Sequence, residues 1–159
     1  MKKIISTGLT ITYTTLFSLP TLAEINLEGQ SILCQQQNWL TEIAFSTPNF
    51  NIAICIDKND PDNEGNFELI ATHYIQQSKN TNEKIILPLS TTGLYLGEPA
   101  IYKATTGTYT YQVYVSLVQK YSSECQCQAI VYDTVSLKIF NNGESIYQYT
   151  TQKFLYGWK

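Results

Sequence analysis

The sequence predicts an all-β chain: a single antiparallel β-barrel or β-sandwich domain after a signal peptide. Three observations carry this expectation. Some seven to nine short runs of alternating apolar and polar residues recur along the chain, the period of half-buried strands. Clusters of turn-forming residues separate them roughly every ten positions. No βαβ unit can be traced, so antiparallel connections are expected throughout.

The amino terminus reads as an export signal. Met1-Lys2-Lys3 is a short positive region, Ile4 to Leu19 is uncharged and apolar but diluted by threonine, and Pro20-Thr21-Leu22-Ala23 places small residues at Thr21 and Ala23. That order is the secretory pattern with its peptidase site. The apolar stretch is shorter and more polar than the ~20 residues of a stable membrane span. Residues 1–23 are therefore expected to be a signal peptide and residues 24–159 one all-β domain, secreted or periplasmic, with no stable membrane span after cleavage. No cysteine stands at the cleavage site to take a lipid anchor.

Composition narrows the partner class. The chain carries ten lysines, no arginine and thirteen acids, a net charge of −3. Losing Lys2 and Lys3 leaves eight lysines against thirteen acids, or −5. Without basic clusters or guanidinium forks, nucleic acid and phosphate recognition are not expected. The length suits one domain with its own core.

Four cysteines, Cys34, Cys55, Cys125 and Cys127, are an even set in an exported chain. Two disulfides are expected, with three connectivities open. The preferred one joins Cys34 to Cys55, closing a modest loop worth about 2–4 kcal/mol. It leaves Cys125 and Cys127 to each other across Gln126.

The elements follow in order. Ser31 to Ser46 is ambiguous: Leu33, Gln36, Leu40 and Ile43 are spaced for a helix, while Ser31-Ile32-Leu33-Cys34 suits a strand. A strand, a turn near Asn38 and a second short strand are expected. Phe50, Ile52, Ile54 and Ile56 alternate with Asn51, Ala53 and Cys55 as a half-buried strand. The acidic run Asp57 to Asn66 is a loop, leading into a strand over Phe67 to Ile75. Glu83 to Ser90 is a strand that Pro88 assigns to a sheet edge or strand end. Thr91-Thr92-Gly93 is a turn, and Leu94 to Lys103 a broken extended stretch. After Gly107, one strand face carries Tyr109, Tyr111, Val113, Val115 and Leu117. Gln119 to Gln128 reads as a polar excursion. Val131–Phe140 and Glu144–Thr151 flank Asn141-Asn142-Gly143, a strong hairpin signal. The aromatic tail Phe154 to Lys159 is expected to pack as a last strand.

Few residues offer chemistry. Asp60, Asp62, Glu64 and Gly65 match the opening of a calcium loop, but its twelfth position is Ala71 where a bidentate glutamate belongs, so a solvated hairpin loop over 57–66 is expected. His73, the only histidine, lacks the partners of a triad or a zinc site. Cys125-Gln126-Cys127 resembles a thiolate pair for redox or soft-metal work. It lies in a polar loop without a helix start to lower a thiol pKa, so a structural bridge is expected. The carboxylates single out no glycosidase pair. The twelve tyrosines suit strands, where the ring packs and the hydroxyl reaches water. Exposed rows such as Tyr147 with Tyr149, or Tyr114 with Tyr132, would instead make a binding surface.

Phe50-Asn51-Ile52-Ala53-Ile54-Cys55-Ile56-Asp57, and Tyr74-Ile75-Gln76-Gln77-Ser78-Lys79 running on to Ile85-Ile86-Leu87-Pro88-Leu89, resemble small exported proteins of uncharacterised function found in cyanobacteria. The resemblance covers about a third of the chain and implies export and a β-fold. A more distant similarity is to periplasmic inhibitors of C-type lysozyme, small secreted β-barrels with an early cysteine on a strand. Their serine-glycine, two-residue gap, tyrosine signature meets Thr92-Gly93-Leu94-Tyr95 here, with threonine for serine and one residue too few. No inhibitory residue is carried over.

The expected function is an exported, non-enzymatic binding or inhibitor-like module that meets a protein or glycan partner through a tyrosine-rich β surface and loops, without a cofactor. The alternative is a structural component of the cell envelope or extracellular matrix, and a third reading is a hydrolase with an unrecognised site.

Overall fold

In a computed structural model, residues 30–64, 69–91, 99–122 and 127–156 are described. The expected signal peptide lies outside these residues. The fold is all-β: one curled antiparallel sheet forming a half-barrel. A one-turn helix, α1 (Ile32–Gln35), precedes β1 (Leu40–Ser46), β2 (Phe50–Ile56), β3 (His73–Ser78), β4 (Lys84–Thr91), β5 (Ala100–Thr106), β6 (Tyr109–Ser122), β7 (Cys127–Asn141), β8 (Glu144–Thr151) and β9 (Phe154–Tyr156). The strand order is β8-β7-β6-β5-β4-β3-β2-β1-β9. Consecutive strands neighbour one another through β8. Then the chain crosses to the opposite edge within Gln152 and Lys153, so β8 and β9 act as one kinked strand that draws the two edges together.

The inner face fills with one apolar core. Ile43 and Phe45, Ile52 and Ile54, Tyr74, Tyr102, Val113 and Val115, and Val135 and Leu137 are all at most 3 % exposed. Because facing strands share register, these residues form rows across the sheet. Tyr102 faces Val113, which faces Leu137, which faces Tyr149. Alanines at 100 and 104 leave room beside these larger side chains, the alternation that lets a curved interior pack without voids.

Several expectations are corrected. The first segment is not a strand: Ser31 caps α1 by accepting a hydrogen bond from Leu33 N at 3.4 Å, and Asn38 turns the chain with φ 62°. One helical turn is too short to show a period, which is why the sequence left it ambiguous. The helix then buries the outer face of β2. Ala53 and Cys55 are 0 % exposed beneath it, so β2 is covered on both faces where alternation predicted only one. Cys34 and Cys55 are disulfide-bonded, with Cα atoms 5.6 Å apart. Cys125 lies outside the described residues, as does the side chain of Cys127.

Of the strand expected over Phe67–Ile75, Phe67 and Glu68 lie outside the described residues, 69–72 are not strand, and β3 starts at His73. Asn63, 3 % exposed, holds the preceding chain: its amide donates to Asp57 O (2.8 Å) and Ile70 O (3.1 Å) and accepts from Ile70 N (2.7 Å). Those bonds occupy backbone that a longer β3 would need. Pro88 lies inside β4, where the strand passes from one neighbour to the other. Residues 84–88 pair with β3, and pairing with β5 begins at Leu89. The missing N–H thus falls where β4 has no β5 partner. Gln119–Ser122 and Cys127–Gln128 are strand, not a polar excursion, because the β6–β7 hairpin runs on past the sheet. The Asn142-Gly143 turn has φ of 50° and 84°, the paired positive values that a two-residue hairpin loop requires.

The helix holds to β2 through the disulfide and a small cluster of Leu33, Ala44, Ala53 and Ile75 backed by Trp39. Replacing both Cys34 and Cys55 by alanine is expected to cost about 2–4 kcal/mol in urea unfolding. The aromatic near-ultraviolet circular dichroism of the inner core should be retained, since no inner-face contact passes through the bridge.

Candidate functional site

The two ends of the half-barrel differ. At one end the connections are tight: residues 47–49, 79–83, 107–108 and 142–143. At the other end lie the connections 57–72, 92–99 and 123–126, the first two of them long. Variable contact surfaces belong on connections of this second kind, held by a rigid scaffold.

Near that end a buried carboxyl stands inside the half-barrel. Thr41 pairs with Cys55 and Ile43 with Ile54, so Glu42 is the extra residue of a β-bulge. Thr41 turns toward the helix side, accepting a hydrogen bond from Ser31 N at 2.8 Å. Glu42 turns inward, 8 % exposed, and accepts from Tyr102 Oη at 3.4 Å. By shifting the register one residue, the bulge lets the strand present a polar side chain to an apolar interior while Ile43 and Phe45 beyond it still face inward. Burial raises the Glu42 carboxyl above its ordinary range, and the Tyr102 hydrogen bond offsets part of that rise. Burial likewise raises the Tyr102 phenol, helped by the nearby Glu42 charge. Tyr132 is pushed up to about 12 by burial and then by Glu42. A carboxyl and two phenols can exchange a proton, but Glu42 and Tyr102 are sealed behind the wall. The group suits a pH-dependent core better than turnover.

The tyrosines mostly point inward. Tyr74 is buried and donates to Gln76 Oε1 at 2.6 Å. Its ring stacks on Tyr111 at 5.3 Å, and Tyr111 on Tyr109 at 6.5 Å. Tyr147 meets Phe50 edge to face at 5.4 Å, and Tyr132 stacks on Phe154 at 5.7 Å. Tyr147 and Tyr149 face the inner rows and are half-buried. Tyr114 and Tyr132 lie on opposite faces, because a second bulge at Asp133 separates them. Tyr121 is the large exception, 70 % exposed.

His73 is on the outer face, beyond reach of the Glu42 group. Its ring stacks on Trp39 at 4.1 Å, and Nδ1 lies 2.8 Å from Thr72 Oγ1. Burial lowers its pKa against the pull of Asp60 and Asp57, so the ring is neutral at neutral pH. In the acidic loop, Asp57 and Asp60 accept from the backbone N of Asn59 (2.9 Å) and Asp62 (3.1 Å). Among the described residues no three His, Cys, Asp or Glu side chains are grouped to hold a metal. No described helix is long and apolar enough to cross a membrane. Gly65 and Thr92-Gly93-Leu94-Tyr95 lie outside the described residues.

The β6–β7 hairpin outruns its neighbours. Pairing of β5 with β6 ends at Val115, and of β8 with β7 at Val135. Beyond them, Ser116–Ser122 and Cys127–Thr134 pair only with each other among the described residues. This arm extends about 23 Å at a strand rise of about 3.3 Å per residue. Gln119, Lys120 and Tyr121 are exposed along it. Sequence reading missed Glu42, since nothing marks one glutamate in an apolar strand as a bulge. It missed the arm because polar residues there imitate a loop.

Glu42 has the clearest pH signature. Its folded pKa is raised, so the stability it contributes is fully present below the unfolded carboxyl pKa and is lost as pH rises through the folded value. Glu42→Gln is therefore expected to gain stability over the native chain at pH 7 and to lose that advantage at pH 4, measured by urea unfolding at both. Tyr102→Phe should cost about 1–2 kcal/mol at pH 7 by leaving the carboxylate without its donor, and less at pH 4. No known family model matches the chain, and comparison with curated proteins and with solved structures finds no significant match either.

Proposed function

We propose that the chain is an exported, non-enzymatic binding module, inhibitor-like in mode, whose contact surface is the β6–β7 arm with the connections at the same end. The exposure of Tyr121 on a ribbon that has left the sheet carries this reading. A tyrosine presents a large, rigid contact area with a polar tip, at small entropic cost on binding. Only the base of the arm serves the core, where Tyr132 packs against it and stacks on Phe154; Gln119, Lys120 and Tyr121 lie well past the last core rows at Val115 and Val135. Export is supported by the signal-like amino terminus and by the Cys34–Cys55 disulfide, a bond suited to oxidising compartments.

Tyr121→Ala is expected to leave unfolding stability within about 0.5 kcal/mol and to weaken partner binding about tenfold or more, as hot-spot truncations do. To find that partner, a photo-reactive phenylalanine analogue at 121 is irradiated in the exporting cell, with the same analogue at exposed Lys103 as control. A discrete adduct from position 121 alone supports the arm. Equal adducts or none would remove it, and turnover abolished by His73→Ala would replace binding with catalysis.

A further inference from the structure

Strand β8 uses one side of its backbone to pair with β7; its other side carries no strand among the described residues. Such an edge is a template for another chain, and folded proteins guard theirs with charges, prolines or bulges. The arm and the open half of β4 show such guards. The arm carries Lys120 on β6 and a bulge at Asp133 on β7, and the open half of β4 carries Lys84 and Pro88. The bulge of β8 is at Ile146, beside its turn. From Tyr147 to Thr151 pairing is regular, and Tyr147-Gln148-Tyr149-Thr150-Thr151 contains neither charge nor proline.

We propose that β8 pairs antiparallel with β8 of a second copy of this chain, about a two-fold axis at Tyr149, so that one sheet runs through both copies. In that register Tyr149 lies opposite Tyr149 of the partner subunit, and Gln148 opposite Thr150 of the partner subunit. Tyr147 lies opposite Thr151 of the partner subunit. A two-fold interface must be its own complement, and this segment is. Its centre is uncharged, while Glu144 at one end and Lys153 at the other are both exposed. The symmetry carries each Glu144 toward Lys153 of the partner subunit and holds like charges at opposite ends of the seam. Ile146, 55 % exposed, lies beside the seam and gains cover from it. A foreign strand would need to supply both features independently.

The test is the molar mass of the purified chain by sedimentation equilibrium from low to high micromolar concentration, in three forms. The native chain is expected to reach a dimer. In Gln148→Lys/Thr150→Lys, like charges lie opposite one another twice across the seam, and the dissociation constant should rise about tenfold or more. Near-ultraviolet circular dichroism of the buried tyrosines checks that this variant folds. Gln148→Cys/Thr150→Cys is expected to yield a covalent dimer on mild oxidation, and it carries the test if the lysines disturb the strand. A native chain that stays monomeric overturns the proposal. So does a dimer unmoved by the lysines in a folded variant, or a cysteine pair that fails to cross-link.

Discussion

The chain leaves β7's side of the sheet at Thr151 and joins β1 at Phe154, with only two residues between. This short crossing is the constraint on which the rest of the architecture depends. A sheet whose two edges are tied that closely must curl, and its concave face becomes a core that the strands fill from every side. The crossing also sets the stagger. Phe154 already faces Phe45, one residue before β1 ends. The eight residues of β8 therefore stand past the point where β1 turns into β2, with no strand beside them. At the opposite end, β6 and β7 outrun their neighbours and become the arm. The open edge and the projecting arm are two results of one closure.

The core is polar in one place, and a bulge puts it there. An inward glutamate on a regular strand would displace an apolar residue from its row. As the extra residue between Thr41 and Ile43, Glu42 enters the interior while Ile43 and Phe45 keep their places. Its cost is desolvation, offset in part by Tyr102. Tyr74 solves the same problem another way, donating to Gln76 two residues along its own strand. Among the described residues no buried side-chain nitrogen or oxygen lacks a hydrogen-bond partner, so the tyrosine-rich interior is a satisfied one.

The outer face follows a different logic. The disulfide and α1 cover only β1, β2 and β3, where Ala44, Ala53 and Ile75 form an apolar floor. Trp39 extends that cover to His73 by stacking, which explains why the lone histidine is part of the helix-to-sheet contact. The acidic loop beside it is organised by Asn63, and its aspartates cap their own backbone. His73 and Asp60, two of the residues that looked chemically suggestive in the sequence, each take part in local structure.

What the sequence determined by itself was the class of fold, and its local signals explain why. Period-two alternation marked β2 to the residue and set the inner face of β6 from Tyr109 to Leu117. Asn142-Gly143 marked a hairpin, because few other residues accept positive φ there. The Cys34–Cys55 pairing was the preferred of three that the cysteine count left open, and it is the one formed. The rest was decided only in three dimensions. Whether Ala53 faces water or a helix depends on a single turn too short to leave a period. Whether Glu42 points in or out depends on one unpaired residue opposite β2. Whether Gln119–Ser122 is loop or strand depends on a cross-strand partner, since a ribbon wet on both faces needs no alternation. Tyrosine content marked strands correctly, but inward or outward orientation depended on the curl of the sheet. That curl comes from an edge-to-edge crossing between residues remote in sequence, which no local pattern records.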